Sequence, residues 1–137
     1  MLLNIDVKTY LKYPLANGFK MTDYTDHGMA ESCRLQYPIL TLDIWRDRID
    51  YTATIVFNDN YFDIVHLANF INGNSDYKTK GPTGTEHVDV ERYLTLVNKI
   101  FEKEFDKILE FLFQLTDKKK SEYNSYFEEI INKDRGY

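Results

Sequence analysis

Two periodicities predict an α+β domain: apolar residues alternate with polar ones between Ser32 and Phe57, then recur at intervals of three and four from Val90 to Leu115. The first pattern is that of an antiparallel β-meander of three to four strands, and the second is that of a long amphipathic helix lying against it. With 137 residues the expectation is one globular domain spanning residues 1–137, large enough to build its own core without a disulfide or a structural metal.

At the N-terminal end, apolar residues at Ile5, Val7, Tyr10, Leu11 and Tyr13 predict a short helix before Pro14. Asn17-Gly18 reads as a turn into an extended segment near Phe19 to Tyr24, and the polar stretch Thr25 to Ala30 as a connection between strands. In the meander, Leu40, Leu42 and Ile44 share one face while Thr41, Asp43 and Trp45 take the other. The alternation resumes as Ile49, Tyr51, Ala53, Ile55 and Phe57 against Asp50, Thr52 and Thr54, with Arg46-Asp47-Arg48 as the hairpin connection. Asn58-Asp59-Asn60 closes the meander.

Phe62, Val65, Leu67, Ala68 and Ile71 then mark a short helix from about Asp63 to Asn72, ended by Gly73. Residues 72–87 form the longest loop, rich in glycine, proline and polar residues, and loops of this length are uncommon unless mobile or functional. In the long helix that follows, Asp89 is placed to cap the start, Glu86 and Glu91 suit its positive end, and Phe111 and Phe113 widen the apolar stripe. Lys118-Lys119-Lys120 reads as the complement of that helix's negative end, and a last helix, roughly Lys119 to Asn132, carries Tyr123, Tyr126, Phe127, Ile130 and Ile131 on one face.

Composition narrows function. Seventeen basic against twenty-two acidic residues give a net charge of −5, spread through both halves of the chain, so direct binding to a nucleic-acid backbone is not expected. No apolar run is long enough to span a membrane, and Met1-Leu2-Leu3 is followed at once by Asn4 and Asp6 rather than by a leader's apolar stretch. The single cysteine, Cys33, alternates with Leu35 as a buried strand residue would, and fits a reducing compartment; a cytoplasmic location is expected.

Chemistry-bearing spacings are scarce. Asp23-Tyr24-Thr25-Asp26-His27 gathers two carboxylates and an imidazole, the pattern a small metal-dependent or acid/base hydrolase would use. His66 and His87 lack the helical spacing of a metal site, and Lys80-Gly81-Pro82-Thr83-Gly84-Thr85 lacks the lysine and hydroxyl residue that complete a phosphate-binding loop. No cofactor and no metal ligand set is expected.

Eleven tyrosines, nine phenylalanines and one tryptophan point elsewhere. Most fall on helical stripes that a core needs. Those left over, with the acidic residues around them, form the expected binding set: Trp45, Asp43, Asp47, Asp50, Asp59, Tyr61 and Tyr77. Acidic, aromatic-bearing surfaces suit a charge-steered protein complex. The first expectation is therefore a non-catalytic protein-binding domain of the kind found among toxin-neutralising immunity proteins and other protein inhibitors, with a basic toxin or nuclease as partner. The hydrolase is the first alternative, and a homo-oligomer formed through the last helix is the second.

Overall fold

A chain with one strongly amphipathic 28-residue helix and a sheet of alternating faces has one economical arrangement, and the protein adopts it. The computed structural model describes residues 2–134; residue 1 and residues 135–137, which the single-domain reading included, lie outside the described residues. The elements run α1 (Leu3–Tyr10), α2 (Lys12–Ala16), β1 (Lys20–Asp26), β2 (Ala30–Tyr37), β3 (Leu40–Asp47), β4 (Asp50–Phe57), β5 (Asn60–Asp63), α3 (Ile64–Asn72), α4 (Glu86–Phe113) and α5 (Asp117–Asp134). The fold is α+β, and the sheet is a five-stranded antiparallel meander in sequence order.

The N-terminal helix expected over residues 5–13 is broken in two at Leu11. A proline ring clashes with the carbonyl four residues earlier, so Pro14 stops α1 at Tyr10. It is tolerated in the first turn of α2, where amides lack helical partners. One such amide, that of Tyr13, donates instead to Asn98 Oδ1 of α4 at 2.8 Å.

The fifth strand is new relative to the sequence reading, which assigned Phe62 to a helix. Asn58 and Asp59 both adopt positive φ, at 46° and 62°, the twisted turn that returns a chain directly into a hairpin. Phe62 therefore pairs with Ile55. The helix begins only after Asp63, whose carboxylate accepts the His66 amide at 3.2 Å, and ends at Gly73 in the left-handed conformation (φ 67°).

Register sorts the faces. Leu35, Leu42 and Ile55 lie abreast, as do Cys33, Ile44 and Ala53, and all are buried beneath the helices with Val90, Leu94, Val97, Phe101 and Ile108 of α4. Burial raises the Cys33 thiol to about 11, which keeps it a neutral, space-filling side chain. The last helix docks through Tyr123, whose ring meets Phe62 and Phe70 edge-on and whose hydroxyl accepts the Asp63 amide at 3.0 Å. Of the last helix's stripe, Tyr126 packs on Phe70 and Phe127 on Tyr123.

Three local expectations are corrected. Phe113 is exposed and does not widen the core stripe. The lysine run begins α5 rather than ending α4, where cations oppose the helix dipole; Lys118 and Lys120 are instead paired with Glu122 and Asp117. Asp89 does not cap α4, which starts at Glu86 with no side-chain cap.

The inner face carries one charged centre. Glu31 is buried, and its carboxylate accepts from the Tyr24 hydroxyl at 2.6 Å, the Leu3 amide at 3.0 Å and the Arg46 guanidinium, whose Nε lies at 2.7 Å and whose Nη2 makes a second contact. Arg46 reaches on to Glu86 at 3.5 Å, so this centre ties β1, β2, β3, α1 and α4 together. Burial alone would raise the Glu31 pKa, but these donors outweigh it and hold it below the usual glutamate value.

Glu31→Ala is therefore expected to lower unfolding free energy by roughly 3 kcal/mol, because Arg46 is left under-compensated. Because the folded pKa is depressed, Glu31's contribution is complete above its unfolded value of 4.5 and is lost as pH falls through the folded value. Urea titrations of both proteins should accordingly converge in acid and diverge above that pH.

Candidate functional site: the open face of the sheet

The outward face of the meander carries Thr25, Ser32, Arg34, Gln36, Thr41, Asp43, Trp45, Thr52, Thr54, Val56 and Tyr61, and none of them is buried. Threonine suits such a surface, since its β-branch favours the strand and its hydroxyl tolerates water. Arg34 and Asp43 face each other across β2 and β3 at 2.7 Å, so the Asp43 carboxylate already has its cation.

Trp45 breaks this polar pattern. It is 41% exposed, in register with Ser32 on one side and Thr52 on the other. The β1–β2 turn folds His27 onto it: the two rings stack with centroids 4.9 Å apart and planes 13° from parallel, and His27 Nε2 lies 3.0 Å from Ser32 Oγ. Two residues that the sequence assigned to rival sites thus form one platform.

The strand ends beyond this platform carry further apolar groups. Met29 is 67% exposed and Ile49 55%. They sit on neighbouring hairpin tips joined by the Arg48 amide, which donates to the Met29 carbonyl at 3.2 Å. Ile49 lies in the β3–β4 turn and not, as expected, in the strand's inward set, because the turn residues are Arg48 and Ile49 rather than Arg46 to Arg48.

This hairpin tip holds two features that folding alone disfavours. Arg48 has φ of 59°, a left-handed conformation costly for a side-chain-bearing residue. Asp47 and Asp50 are directly opposed across β3 and β4, and neither makes an ion pair among the described residues. Like charges facing each other on adjacent strands destabilise a hairpin.

The rest of the expected binding set does not join this platform. Asp59 sits in the β4–β5 turn at the opposite end of the strands, and Tyr61, though 65% exposed on the same face, pairs with Val56 there. Four residues of strand and two strand spacings separate it from Trp45, about 13 Å along and about 10 Å across. Tyr77 lies on the helical side, where it holds the long loop: its amide donates to Asn69 Oδ1 at 3.0 Å, its carbonyl accepts from Asn69 Nδ2 at 2.8 Å, and its hydroxyl donates to Glu104 at 3.2 Å.

The Asp23, Asp26, His27 group is likewise dispersed. Asp26 accepts the Gly28 amide at 2.8 Å to shape the turn, Asp23 pairs in register with Arg34, and the His27 ring contacts Ser32 and Trp45. Among the described residues no three histidine, cysteine or carboxylate side chains gather closely enough to hold a metal ion, and no helix is long and apolar enough to cross a membrane.

Comparison of the chain with protein-family models, with curated proteins and with solved structures finds no match in any of the three.

If the tip is held against local preference, relieving it must stabilise the free protein. Arg48→Gly, which removes the side chain from a positive φ, and Asp50→Asn, which removes one of two facing charges, are each expected to raise unfolding free energy by about 0.5–1 kcal/mol in chemical denaturation. Destabilisation by both would mean that the tip is neither strained nor repulsive.

Proposed function

We propose that this protein is a non-catalytic binding domain that docks a basic protein partner on the open face of its sheet, centred on the Trp45–His27 platform. The observation that carries the reading is the exposed Trp45, standing on a face that no helix covers among the described residues and ringed by side chains that water tolerates. Tryptophan at the centre of a polar surface is the common anchor of protein interfaces, because a large, stiff side chain buries much apolar area at small entropic cost.

Charge supports a basic partner. Asp47 and Asp50 repel each other in the free protein, and a lysine or arginine placed between them relieves that repulsion while steering the approach of an oppositely charged surface. Met29 and Ile49 extend the apolar centre, and the overall charge of −5 acts in the same direction.

The edges of the sheet are less suited to docking. β1 shifts register between Met21 and Asp23 and carries charged residues, and β5 is four residues long, both devices that discourage pairing with a foreign strand. A face-on interface fits an immunity protein or other inhibitor that neutralises a basic toxin or nuclease.

The test is retention of a partner by the wild-type protein and by Trp45→Ala combined with Asp47→Lys. The wild type is expected to hold a basic protein in stoichiometric amount, weakening as salt is raised, and the double variant to lose at least about 2 kcal/mol of binding free energy. A partner bound equally by both proteins would place the interface elsewhere.

A further inference from the structure

On the helical side, remote from the Trp45 platform, the long loop between α3 and α4 is held by buried polar groups. Among the described residues the buried polar and charged side chains are Asp6, Glu31, Asn69, Asp89 and Glu104, and the last three all fix this loop. Asn69 and Glu104 grip Tyr77 through its backbone and its hydroxyl. Six residues beyond Tyr77, the amide and the hydroxyl of Thr83 both donate to Asp89 at 2.8 Å, and these bonds, the amide's first, hold the Asp89 carboxyl below the usual aspartate range. The arc from Lys78 to Pro82 is suspended between two anchors, a wall set in place rather than a free loop.

That wall encloses a cleft of about 720 Å³ against α4 and the start of β4. The cleft exists because β5 pairs only with Thr54–Phe57, leaving the Asp50–Ala53 half of β4 with no strand beyond it. Tyr51, Tyr93, Leu96 and Pro82 give it an apolar lining, and the Tyr51 and Tyr93 rings stack there at 5.7 Å. Lys78, Lys80, Arg92 and Lys99 give it a cationic one, and none of the four makes an ion pair among the described residues. Of the carboxylates in the lining, Asp89 is occupied by Thr83, which leaves Asp50 at the mouth and Glu91 on α4.

We propose that this cleft binds a small organic anion: a planar, apolar body lying against the tyrosine pair, with a phosphate or carboxylate held by the lysines of the loop and of α4. Its volume lies within the roughly 300–1,000 Å³ range of small-molecule sites. Four cations line this one cleft against three carboxylates, of which Asp89 is bonded to Thr83 and lies in the field of Arg92, and in a chain of net charge −5 they are the complement such a ligand needs. The cleft does not include Trp45 or His27, and it borders the docking face at Ile49 and Asp50.

Titration of adenosine monophosphate and of naphthoate into isotopically labelled protein, followed through backbone amide resonances, tests the proposal. At least one anion is expected to shift the amides of Lys78 to Gly81 and of Thr95 to Lys99 saturably, with uncharged adenosine far weaker than its monophosphate. Lys80→Glu combined with Lys99→Glu should weaken binding about tenfold or more; if that reversal disturbs the spectrum, Lys80→Gln with Lys99→Gln serves the same comparison. Trp45→Ala should leave anion binding unchanged. Absence of saturable shifts in the cleft with both anions, or binding undiminished in the lysine variants, overturns the proposal.

Discussion

Everything in this fold follows from a sheet that is buried on one side only. The chain has a single long amphipathic helix, α4, and its stripe from Val90 to Leu112 is matched to the inward residues of β2, β3 and β4. The shorter helices α1, α2 and α3 pack beside α4, and α5 reaches the core through Tyr123. With the apolar area of the helices consumed on one side, the other side of the meander must be compatible with water, and its threonines and its Arg34–Asp43 pair make it so. Against that background Trp45, with Tyr61 at the far end of the same face, is an apolar exception to the face's polar residues.

The treatment of charge divides the molecule in the same way. On the inner side Glu31 is surrounded by donors from three elements and paired with Arg46, as burial of a carboxylate requires. At the tip of the β3–β4 hairpin, only one residue beyond Arg46, Asp47 and Asp50 face each other with no ion pair among the described residues, and Arg48 holds an unfavourable φ. The contrast between the paired, buried Glu31 and the two facing carboxylates beside an exposed indole is what the proposed docking face rests on.

Much of this architecture is legible in the sequence because it rests on local periodicity. The alternation through Leu40, Leu42 and Ile44 assigns the faces of β3, the three-four spacing after Val90 defines α4, and Gly73 marks the end of α3. What escapes is set by contacts distant along the chain. His27 and Trp45 meet only because β1, β2 and β3 pair in one particular register, and no local pattern announces that stack. Tyr77 resembles a spare loop aromatic until Asn69 and Glu104 are seen to hold it, and Asp89 resembles a helix cap until Thr83 folds back upon it. β5 has no signature of its own because four residues between a turn and a helix cap are too few to show a period, although Asn58-Asp59 carries the turn's chemistry.

The central claim, that the outward face is free and the inward face sealed, is tested most directly by thiol reactivity. Thr25→Cys and Thr52→Cys place single thiols on the open face, on either side of Trp45, while the native Cys33 reports on the inner one. In dilute native protein, both introduced cysteines are predicted to react with a maleimide at rates close to those of an unfolded peptide, with Cys33 unreactive until denaturant is added. Protection of the introduced cysteines, or ready labelling of Cys33, would contradict the account.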